Sequence, residues 1–396
     1  MKKRALFNEL EKYLDRKESL VITGMRQVGK TTLMHQLYDR IEDKSKLWFD
    51  FENPLDVKVF EDVDYNNIYN RIIDMAGTGE GEKLFVCIDE IQIFPEVTKV
   101  IKYLIDHYQV KFILTGSSNF YLKNLFPESL SGRKFLFKLE PLSFKEYLYF
   151  HNRIESYEMQ GLKIHNAIEK SSLFYHKEFE TDYEDFLQYG GFPAVVLEKD
   201  RETKKMILKN IFASFFEKDL KMLSDYKDIQ ELRDLILLLL PRVGSLLNVT
   251  RISDELGISR AKVYDYLEFL QSAFIIKLLP RYSKGLSRSV AGGKKVYFSD
   301  TGLLNMIGSV NGAQLFENGV VNQMSKYGKM SFYNKRNKEE IDLVLENKMA
   351  FEIKLKGIER DHKKVKNISE KLGIAEAYVI SKEFVDEKGF VTPVVF

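Results

Sequence analysis

The residues best suited to chemistry are Gly24 to Thr31, which read Gly-Met-Arg-Gln-Val-Gly-Lys-Thr. This stretch fits the pattern G-x-x-x-x-G-K-[ST] at every fixed position, between an apolar run at 20–22 and a helical pattern from Thr32. Two glycines let the backbone curl so that successive N–H groups face phosphate oxygens, and the following helix adds its positive end. We therefore expect a nucleoside triphosphate to be bound by Gly24, Met25, Arg26, Gln27, Val28, Gly29, Lys30, Thr31 and Thr32.

Four side chains have chemistry that fits a nucleotide bound at this loop. Lys30 is expected to reach the β- and γ-phosphates, and the Thr31 hydroxyl to ligate Mg²⁺. The apolar run 84–88 ends in Asp89 and Glu90, as a buried parallel strand ends at a metal–nucleotide site. We predict that Asp89 holds Mg²⁺ and that Glu90 orients the attacking water. The alternative is a buried strand that merely ends in two solvated acids.

A third apolar strand, 110–114, ends in Thr115-Gly116-Ser117. Its carboxyl end should lie beside Asp89, so that Thr115 or Ser117 could sense the γ-phosphate through a hydrogen bond. The same residues are also typical of a plain turn. Ser117 therefore joins Glu90 and Lys30 as a candidate catalytic residue.

The elements that must position these residues alternate between strands and helices. Such an order predicts an α/β fold, a P-loop parallel-sheet ATPase domain with the nucleotide at the carboxyl ends of its strands. We assign this domain to residues 1–150. A helical lid at 151–240, a winged helix-turn-helix at 241–311 and a small α/β restriction-endonuclease-like domain at 312–396 are expected to follow.

Several motifs together resemble one family. They are Gly-Met-Arg-Gln-Val-Gly-Lys-Thr-Thr at 24–32, Ile-Asp-Glu-Ile-Gln at 88–92, Leu-Thr-Gly-Ser-Ser at 114–118, Glu-Ser-Leu-Ser-Gly-Arg at 128–133, Leu-Glu-Pro-Leu-Ser-Phe at 139–144 and Val-Tyr-Phe-Ser-Asp-Thr-Gly-Leu at 296–303. These motifs resemble the prokaryotic predicted ATPases of the AAA+ superfamily that carry a C-terminal DUF4143-type domain. The resemblance implies an ATP-binding module and makes Arg133 a candidate arginine finger or sensor. Arg133 could instead pair with a carboxylate such as Glu128.

Residues 248–280 have a helix-turn-helix pattern, with Gly257 as the turn and Ser259 as the cap of the second helix. A basic segment follows that contains no acid: Arg281, Lys284, Arg288, Lys294 and Lys295. A winged helix with a basic wing would contact the phosphates of double-stranded DNA. Winged helices also serve as protein–protein modules, so a protein partner is the alternative.

The last part of the chain places acids and a lysine in a nuclease-like pattern. Asp342 lies in one predicted strand, Glu352 and Lys354 lie two residues apart in the next, and Glu317 lies in a preceding helix. This order resembles the PD-(D/E)xK nuclease fold, in which carboxylates hold Mg²⁺ and the lysine helps to activate water. The alternative is a solvated strand face that alternates acid and base.

Composition places limits on these predictions. The chain has 396 residues, enough for several domains, and 60 basic residues nearly balance 58 acidic ones, so any nucleic-acid surface must be local. A single cysteine, Cys87, fits a reducing compartment, and the basic N-terminus lacks the apolar core of a signal peptide. The longest apolar run, 235–240, is far short of a membrane span, and the six histidines lack ligand spacing. We expect a cytoplasmic protein that is not bound to membranes.

These observations predict a Mg²⁺-dependent ATPase. ATP hydrolysis would drive a conformational switch or a DNA-handling activity through the winged-helix and nuclease-like domains. The alternative is a regulatory switch whose C-terminal domain is a catalytically silent protein-binding module. A metabolite kinase would need a pocket for the phosphate acceptor. The predicted winged helix argues against this class of enzyme. An oligomer is compatible with all of these functions.

Overall fold

The computed structural model describes residues 2–42, 45–79, 81–116, 132–155, 164–219, 226–283, 293–335 and 339–396. The chain divides into two compact units, Met1–Glu140 with Ser272–Phe274, and Pro141–Gln271 with Ile275–Phe396. The predicted boundary at residue 150 lies inside the second unit. The lid, winged-helix and nuclease-like parts that we predicted separately all belong to this second unit, apart from the three residues 272–274.

The first unit is built on a five-stranded parallel sheet in the order β2-β3-β4-β1-β5. Its strands are β1 Ser19–Thr23, β2 Lys46–Asp50, β3 Leu84–Asp89, β4 Val110–Gly116 and β5 Lys134–Lys138. β1, β3 and β4 are buried along their whole length, as apolar runs covered on both faces should be. The parallel arrangement brings Thr23, Asp89 and Gly116 to the same carboxyl edge of the sheet. The α/β fold class predicted from the sequence is confirmed.

Helices connect these strands and supply the core of the first unit. They are α1 Phe7–Glu11, α2 Lys30–Arg40, α3 Pro54–Val59, α4 Tyr65–Ala76 and α5 Val97–His107. α4 and α5 place apolar side chains at helical spacing, so that one face of each packs on the sheet. Ile72 and Leu104 from these helices pack in one core with Ile88 and Phe112 from the strands. This core holds the strand ends in fixed positions.

The second unit begins with helices. They are α6 Phe144–Phe150, α7 Ile164–Glu169, α8 Leu173–Tyr189, α9 Pro193–Leu197, α10 Arg201–Ser214 and α11 Tyr226–Leu239. A π-helical turn, Phe215–Asp219, continues α10. This helical content agrees with the pattern predicted for residues 151–240.

Two motifs that are distant in the sequence meet in the second unit at Asp300. This residue caps α14, Thr301–Ile307, by accepting the Leu303 N–H, and its second oxygen accepts the Gly191 N–H at 2.8 Å. A Cβ on Gly190 would lie 2.2 Å from the Asp300 carboxylate, and one on Gly302 would lie 2.0 Å from the Tyr189 carbonyl oxygen. The bend at 190–191 therefore requires glycine because of this close approach.

A helix pair and a hairpin follow. α12, Val249–Leu256, ends at Gly257 in the left-handed conformation, and α13 is Arg260–Ser272. β6, Ile276–Pro280, pairs antiparallel with β7, Lys294–Phe298. Gly257 occupies the turn as the sequence predicts, because glycine adopts positive φ without a Cβ penalty.

The last part of the second unit is a mixed five-stranded sheet in the order β12-β11-β10-β9-β8. The strands are β8 Met330–Lys335, β9 Glu339–Leu345, β10 Met349–Lys354, β11 Glu376–Ser381 and β12 Phe390–Val391. α15, Gly312–Met324, precedes this sheet, and α16, Glu359–Leu372, connects β10 to its parallel neighbour β11. Val365 and Ile368 of α16 pack against Ile341, Val344 and Val379 of the sheet. This is a small α/β module with helix–strand–strand–strand–helix–strand–strand order.

Within the described ranges, every helix is too short or too polar to cross a lipid bilayer.

Candidate functional site

The loop between β1 and α2 has the backbone shape that an anion-binding loop needs. Gln27 and Gly29 have positive φ angles of 62° and 95°, which turn successive peptide groups inward. Met25 and Val28 are buried and anchor the loop, whereas Gln27 is exposed and Arg26 is partly exposed. Gly24 passes so close to the residue that follows β5 that a Cβ would lie 2.1 Å from the Leu139 carbonyl oxygen. The loop is thus fixed by the buried Met25 and Val28 and by the close contact of Gly24 with Leu139.

Arg4 is a support for this loop that the sequence analysis did not identify. Its guanidinium donates hydrogen bonds to the carbonyl oxygens of Val28 and Glu140, each at 2.8 Å. Arg4 is only 6% exposed. A single basic residue near the N-terminus has no sequence signal for this role, because its partners are backbone atoms 24 and 136 positions away.

Lys30 is the first residue of α2, and its side chain folds back over the loop. Its ammonium donates to the carbonyl oxygens of Gly24, at 3.1 Å, and Met25, at 2.9 Å. The side chain is buried, so its positive charge is exerted in surroundings that screen it weakly. The next residues, Thr31 and Thr32, lie on the first turn of the helix, with Thr31 exposed.

Asp89 joins the loop to the neighbouring strands. The Thr31 hydroxyl donates to Asp89 Oδ2 at 2.7 Å, and the buried Thr115 hydroxyl donates to Asp89 Oδ1. The Glu90 N–H approaches both Asp89 Oδ1 and Thr115 Oγ1 at 3.2 Å. A carboxylate beside a threonine hydroxyl is a pair of oxygen donors of the kind that Mg²⁺ takes in nucleotide sites. The residues present therefore fit Mg²⁺.

Glu90 follows β3 in a left-handed conformation, with φ 55° and ψ 47°. This turn redirects the chain away from the strand, so that Asp89 and Glu90 do not share one direction. The Gln92 amide donates to Glu90 Oε2. Gln92 was part of the Ile-Asp-Glu-Ile-Gln motif, but its contact with Glu90 was not predicted.

Ser117 lies outside the described residues. Thr115, its alternative as a γ-phosphate sensor, is fully buried and bonds to Asp89. The role of Thr115 or Ser117 as a γ-phosphate sensor stays a prediction.

Arg133 lies at the other end of the sheet. Its carbonyl oxygen accepts the N–H of Ser19, the first residue of β1, whereas the phosphate loop follows Thr23, the last. The four residue-to-residue steps between Ser19 and Thr23 separate these ends by roughly 13 Å. The guanidinium pairs with Asp106 at 2.7 Å and lowers the pKa of that carboxyl. Arg133 is therefore away from the phosphate loop of its own chain in this structure, because β5 runs parallel to β1 and begins at the opposite edge. Its role as an arginine finger or sensor, within one chain or across to a second copy, stays a prediction, and Glu128, the alternative partner, lies outside the described residues.

Most described basic side chains of the helix pair and hairpin have acidic or carbonyl partners. Lys262, on α13, bonds to Asp228 and Glu231 at 2.7 and 2.5 Å. Arg281 donates to the carbonyl oxygen of Asn334, and Lys295 is buried. Lys284 and Arg288 lie outside the described residues. Of the predicted basic wing, Lys294 is the described residue that is exposed at the surface.

The four residues of the nuclease-like pattern come together in the second unit. Lys354 bonds to Glu352 at 2.9 Å and lies 3.8 Å from Asp342 Oδ2, which also accepts the Ile353 N–H. Glu317 arrives from α15. Burial and the nearby Asp342 raise the pKa of Glu317 to about 7 and also raise the pKa of Glu352.

Two residues of β7 also enter this cluster. The Tyr297 hydroxyl donates to Glu317 Oε1 at 2.7 Å, and Lys295 forms ion pairs with the carboxylates. Lys295 was counted in the basic wing, although its neighbour Lys294 points the other way, as alternation along a strand requires. Among the described residues, no three His, Cys, Asp or Glu side chains form a group that could hold a metal ion.

Comparison with protein-family models divides the chain into three matches. Residues 16–148 match the AAA domain model, residues 180–314 match a domain of unknown function, DUF8612, and residues 313–392 match a second one, DUF4143.

Relatives are found in prokaryotes. An uncharacterized protein of Haemophilus influenzae is 29% identical over 340 residues, covering 82% of this chain and 78% of that protein. One of Methanocaldococcus jannaschii is 29% identical over 349 residues, covering 84% and 74%. The solved ORC2 protein of Aeropyrum pernix, in ADPNP-ADP complexes, is similar at 14% identity and a TM-score of 0.40, covering 82% of this chain and 94% of that one. The resemblance stated from the motifs is confirmed: the chain carries an AAA domain followed by a C-terminal DUF4143 domain.

Proposed function

We propose that the first unit binds ATP with Mg²⁺ and hydrolyses it. The observation that carries this proposal is the 2.7 Å hydrogen bond from Thr31 to Asp89, beside a loop over which the Lys30 ammonium is already folded. Phosphoryl transfer to water needs charge neutralisation and positioning more than covalent chemistry. A buried lysine, a hydroxyl–carboxylate pair and a second acid supply these needs.

Each residue has a distinct role in this proposal. Backbone N–H groups of residues 24–29 and the start of α2 bind the phosphates, while Lys30 moves from the loop carbonyls to the β- and γ-phosphate oxygens. Thr31 and Asp89 would hold Mg²⁺, which neutralises phosphate charge. Glu90 accepts a hydrogen bond from the attacking water and orients it. Thr115 keeps Asp89 aimed at the metal.

Hydrolysis serves a switch that acts on a macromolecule. The macromolecule could be DNA or a protein, and residues of the second unit bear on this choice. DNA handling is supported by the helix pair with its hairpin, which has the element order of a winged helix, and by the convergence of Glu317, Asp342, Glu352 and Lys354. A protein-binding role is supported by the internal pairing of Lys262, Arg281 and Lys295. We favour the switch with a protein partner, because the helix pair between 248 and 272 carries three basic and four acidic residues.

The steady-state ATPase rate with and without double-stranded DNA tests these functions. Lys30→Ala should abolish hydrolysis, whereas Lys99→Ala, an exposed lysine of the same unit, should not change it. Hydrolysis that survives Lys30→Ala would contradict the ATPase proposal. A wild-type rate that rises severalfold with DNA would instead establish DNA handling, and nuclease assays on Asp342→Ala would follow.

Location and assembly remain predictions. A cytoplasmic protein that forms oligomers would allow Arg133 of one copy to reach the nucleotide of another.

A further inference from the structure

Helix α13 ends in a backbone conformation that usually belongs to glycine. Phe274 has a φ angle of 62°, and the next N–H, that of Ile275, donates to the Leu270 carbonyl oxygen at 2.9 Å. This bond spans five positions and is the one that closes a Schellman motif, in which the residue before the donor is left-handed. A bulky side chain is unfavourable at that residue, because its Cβ crowds the backbone.

Three other helices of this chain, α4, α12 and α16, end in the same motif with glycine at the left-handed position. In each of them the N–H after the glycine donates to a carbonyl oxygen five positions earlier. The glycines are Gly77, Gly257 and Gly373, with φ angles of 64°, 65° and 72°. Phe274 therefore keeps an unfavourable conformation that glycine would adopt freely, so contacts of its ring must offset the strain.

These contacts are made in the first unit. Residues 272–274 belong to that unit, whereas residues 271 and 275 belong to the second. Phe274 is only 7% exposed, and the Lys138 ammonium lies 5.0 Å from the centroid of its ring. At this distance the face of an aromatic ring attracts a cation. The strained turn thus supplies a buried aromatic side chain to the first unit from between two segments of the second.

Lys138 is the last residue of β5 and leads directly to the backbone that contacts the phosphate loop. The Leu139 N–H donates to the Thr23 carbonyl oxygen at 2.7 Å. The Leu139 carbonyl oxygen is the atom that leaves no room for a Cβ on Gly24. A movement of the loop when it binds phosphates would therefore displace residue 139, and with it the neighbouring Lys138 that faces Phe274.

We propose that Phe274 transmits the nucleotide state of the phosphate loop to α13 and β6. The proposal rests on the proposed binding of ATP by the first unit. When the loop moves, the contacts of the ring change and no longer offset the unfavourable φ angle. The turn at 274 then relaxes, which alters the end of α13 and the start of β6. A strained residue held by neighbouring contacts is suited to this role, because a small change in those contacts decides which conformation is the more stable.

Hydrogen–deuterium exchange of residues 260–280 in the full-length chain, with and without Mg²⁺ and the non-hydrolysable ATP analogue ADPNP, tests this proposal. We expect ADPNP to change exchange in this segment of the wild type by at least about threefold. Phe274→Gly removes the ring and allows the left-handed turn, so it should bind ADPNP within about threefold of the wild-type Kd and show no such change. Tyr264→Ala, which removes an exposed aromatic side chain of α13, is the matched control and should respond as the wild type does.

Binding of ADPNP, measured separately by calorimetry, distinguishes this proposal from the one on which it rests. A wild type that does not bind ADPNP contradicts the nucleotide site and the coupling together. A wild type that binds ADPNP without a change at 260–280 overturns the coupling alone, as does a change that survives in Phe274→Gly.

A second variant keeps the test decisive if Phe274→Gly does not fold. Lys138→Ala removes the ammonium that faces the ring and leaves the end of α13 intact. We expect this variant to bind ADPNP and to show a smaller change in exchange at 260–280 than the wild type. A change equal to that of the wild type would overturn the proposal.

Discussion

Thr31 donates its hydroxyl proton to Asp89 across 2.7 Å, although 58 positions separate the two residues in the chain. The bond links the first turn of α2 to the end of β3. It joins the loop that would bind the phosphates to the acid that would hold the metal. The strength of this link can be measured by changing either partner.

Asp89→Asn keeps the shape of the side chain and removes its charge. We expect hydrolysis to fall by about 10²-fold or more, because the neutral amide no longer balances the metal. Thr31→Ser should retain most activity, since the hydroxyl is preserved, whereas Thr31→Ala should lose it. Rates measured across a Mg²⁺ titration check this. Full activity of Asp89→Asn at ordinary Mg²⁺ would show that the acid is not at the metal.

Glu90→Gln should separate binding from hydrolysis. The amide cannot orient and polarise water as the carboxylate does, so we expect the rate to fall by about 10²–10⁴-fold. ATP affinity, measured with a fluorescent analogue, should stay nearly constant. Gln92→Ala, which removes the partner of Glu90, should give a smaller loss. A Glu90→Gln rate near that of the wild type would rule out this role.

Gly24→Ala should distort the phosphate-binding loop and lower the stability of the protein. The new Cβ would lie 2.1 Å from the Leu139 carbonyl oxygen, which belongs to the backbone and cannot move aside as a side chain can. We expect a loss of about 1–3 kcal/mol in the free energy of unfolding together with weaker ATP binding. Gly79→Ala is the matched control, because its Cβ would meet only the flexible Glu82 side chain at 3.4 Å. Equal denaturant midpoints for the two variants would contradict the prediction.

Arg133→Ala tests action between copies. Because Arg133 lies at the far edge of its own sheet, we expect its removal to leave ATP affinity of the chain within about twofold, while hydrolysis falls in a concentration-dependent way. Mixing Arg133→Ala with Glu90→Gln should then restore activity, since each copy supplies what the other lacks. If both variants are folded and their mixture recovers no activity, Arg133 does not act on the nucleotide of a second copy.

The raised pKa of Asp300 should make the free energy of unfolding depend on pH. Burial raises the pKa of Asp300 to about 6, although backbone N–H donors from Gly191 and Leu303 oppose the shift. Between pH 4 and pH 6 the unfolded chain releases this proton before the folded chain does. The free energy of unfolding should therefore fall as pH rises through this window, by up to about 3 kcal/mol. Urea unfolding of Asp300→Asn should lack this component of the slope; an unchanged slope would contradict the assignment.

The parts of the fold that depend on neighbours in the chain could be predicted from sequence. The strand–loop–helix around Lys30 and the glycine turn at Gly257 are set by local backbone geometry, and apolar runs identified β3 and β4. The convergence of Asp342, Glu352 and Lys354 followed from the period of a strand. Each of these inferences needs only residues that lie close together in the chain.

Features that depend on pairing between distant segments could not be predicted. The place of Arg133 required knowing that β5 joins β1 in parallel. Lys294 and Lys295 look alike in the sequence, but one is exposed and the other is buried among acids. Lys111 interrupts an apolar strand because its ammonium caps the carbonyl oxygens of Tyr13, Arg16 and Glu18, at the end of a segment almost a hundred residues earlier.

The contact of Asp300 with the bend at 190–191 limits which substitutions this sequence can accept at these positions. Gly190 and Gly302 have no room for a Cβ, and Asp300 serves two backbone donors at once. Loss of one of these residues would leave the others without the contact that they fit, so we expect the two short motifs to persist or disappear together among descendants of this chain. We therefore expect their joint presence, more than a hundred residues apart, to mark the second unit in chains that have exchanged or lost the AAA domain.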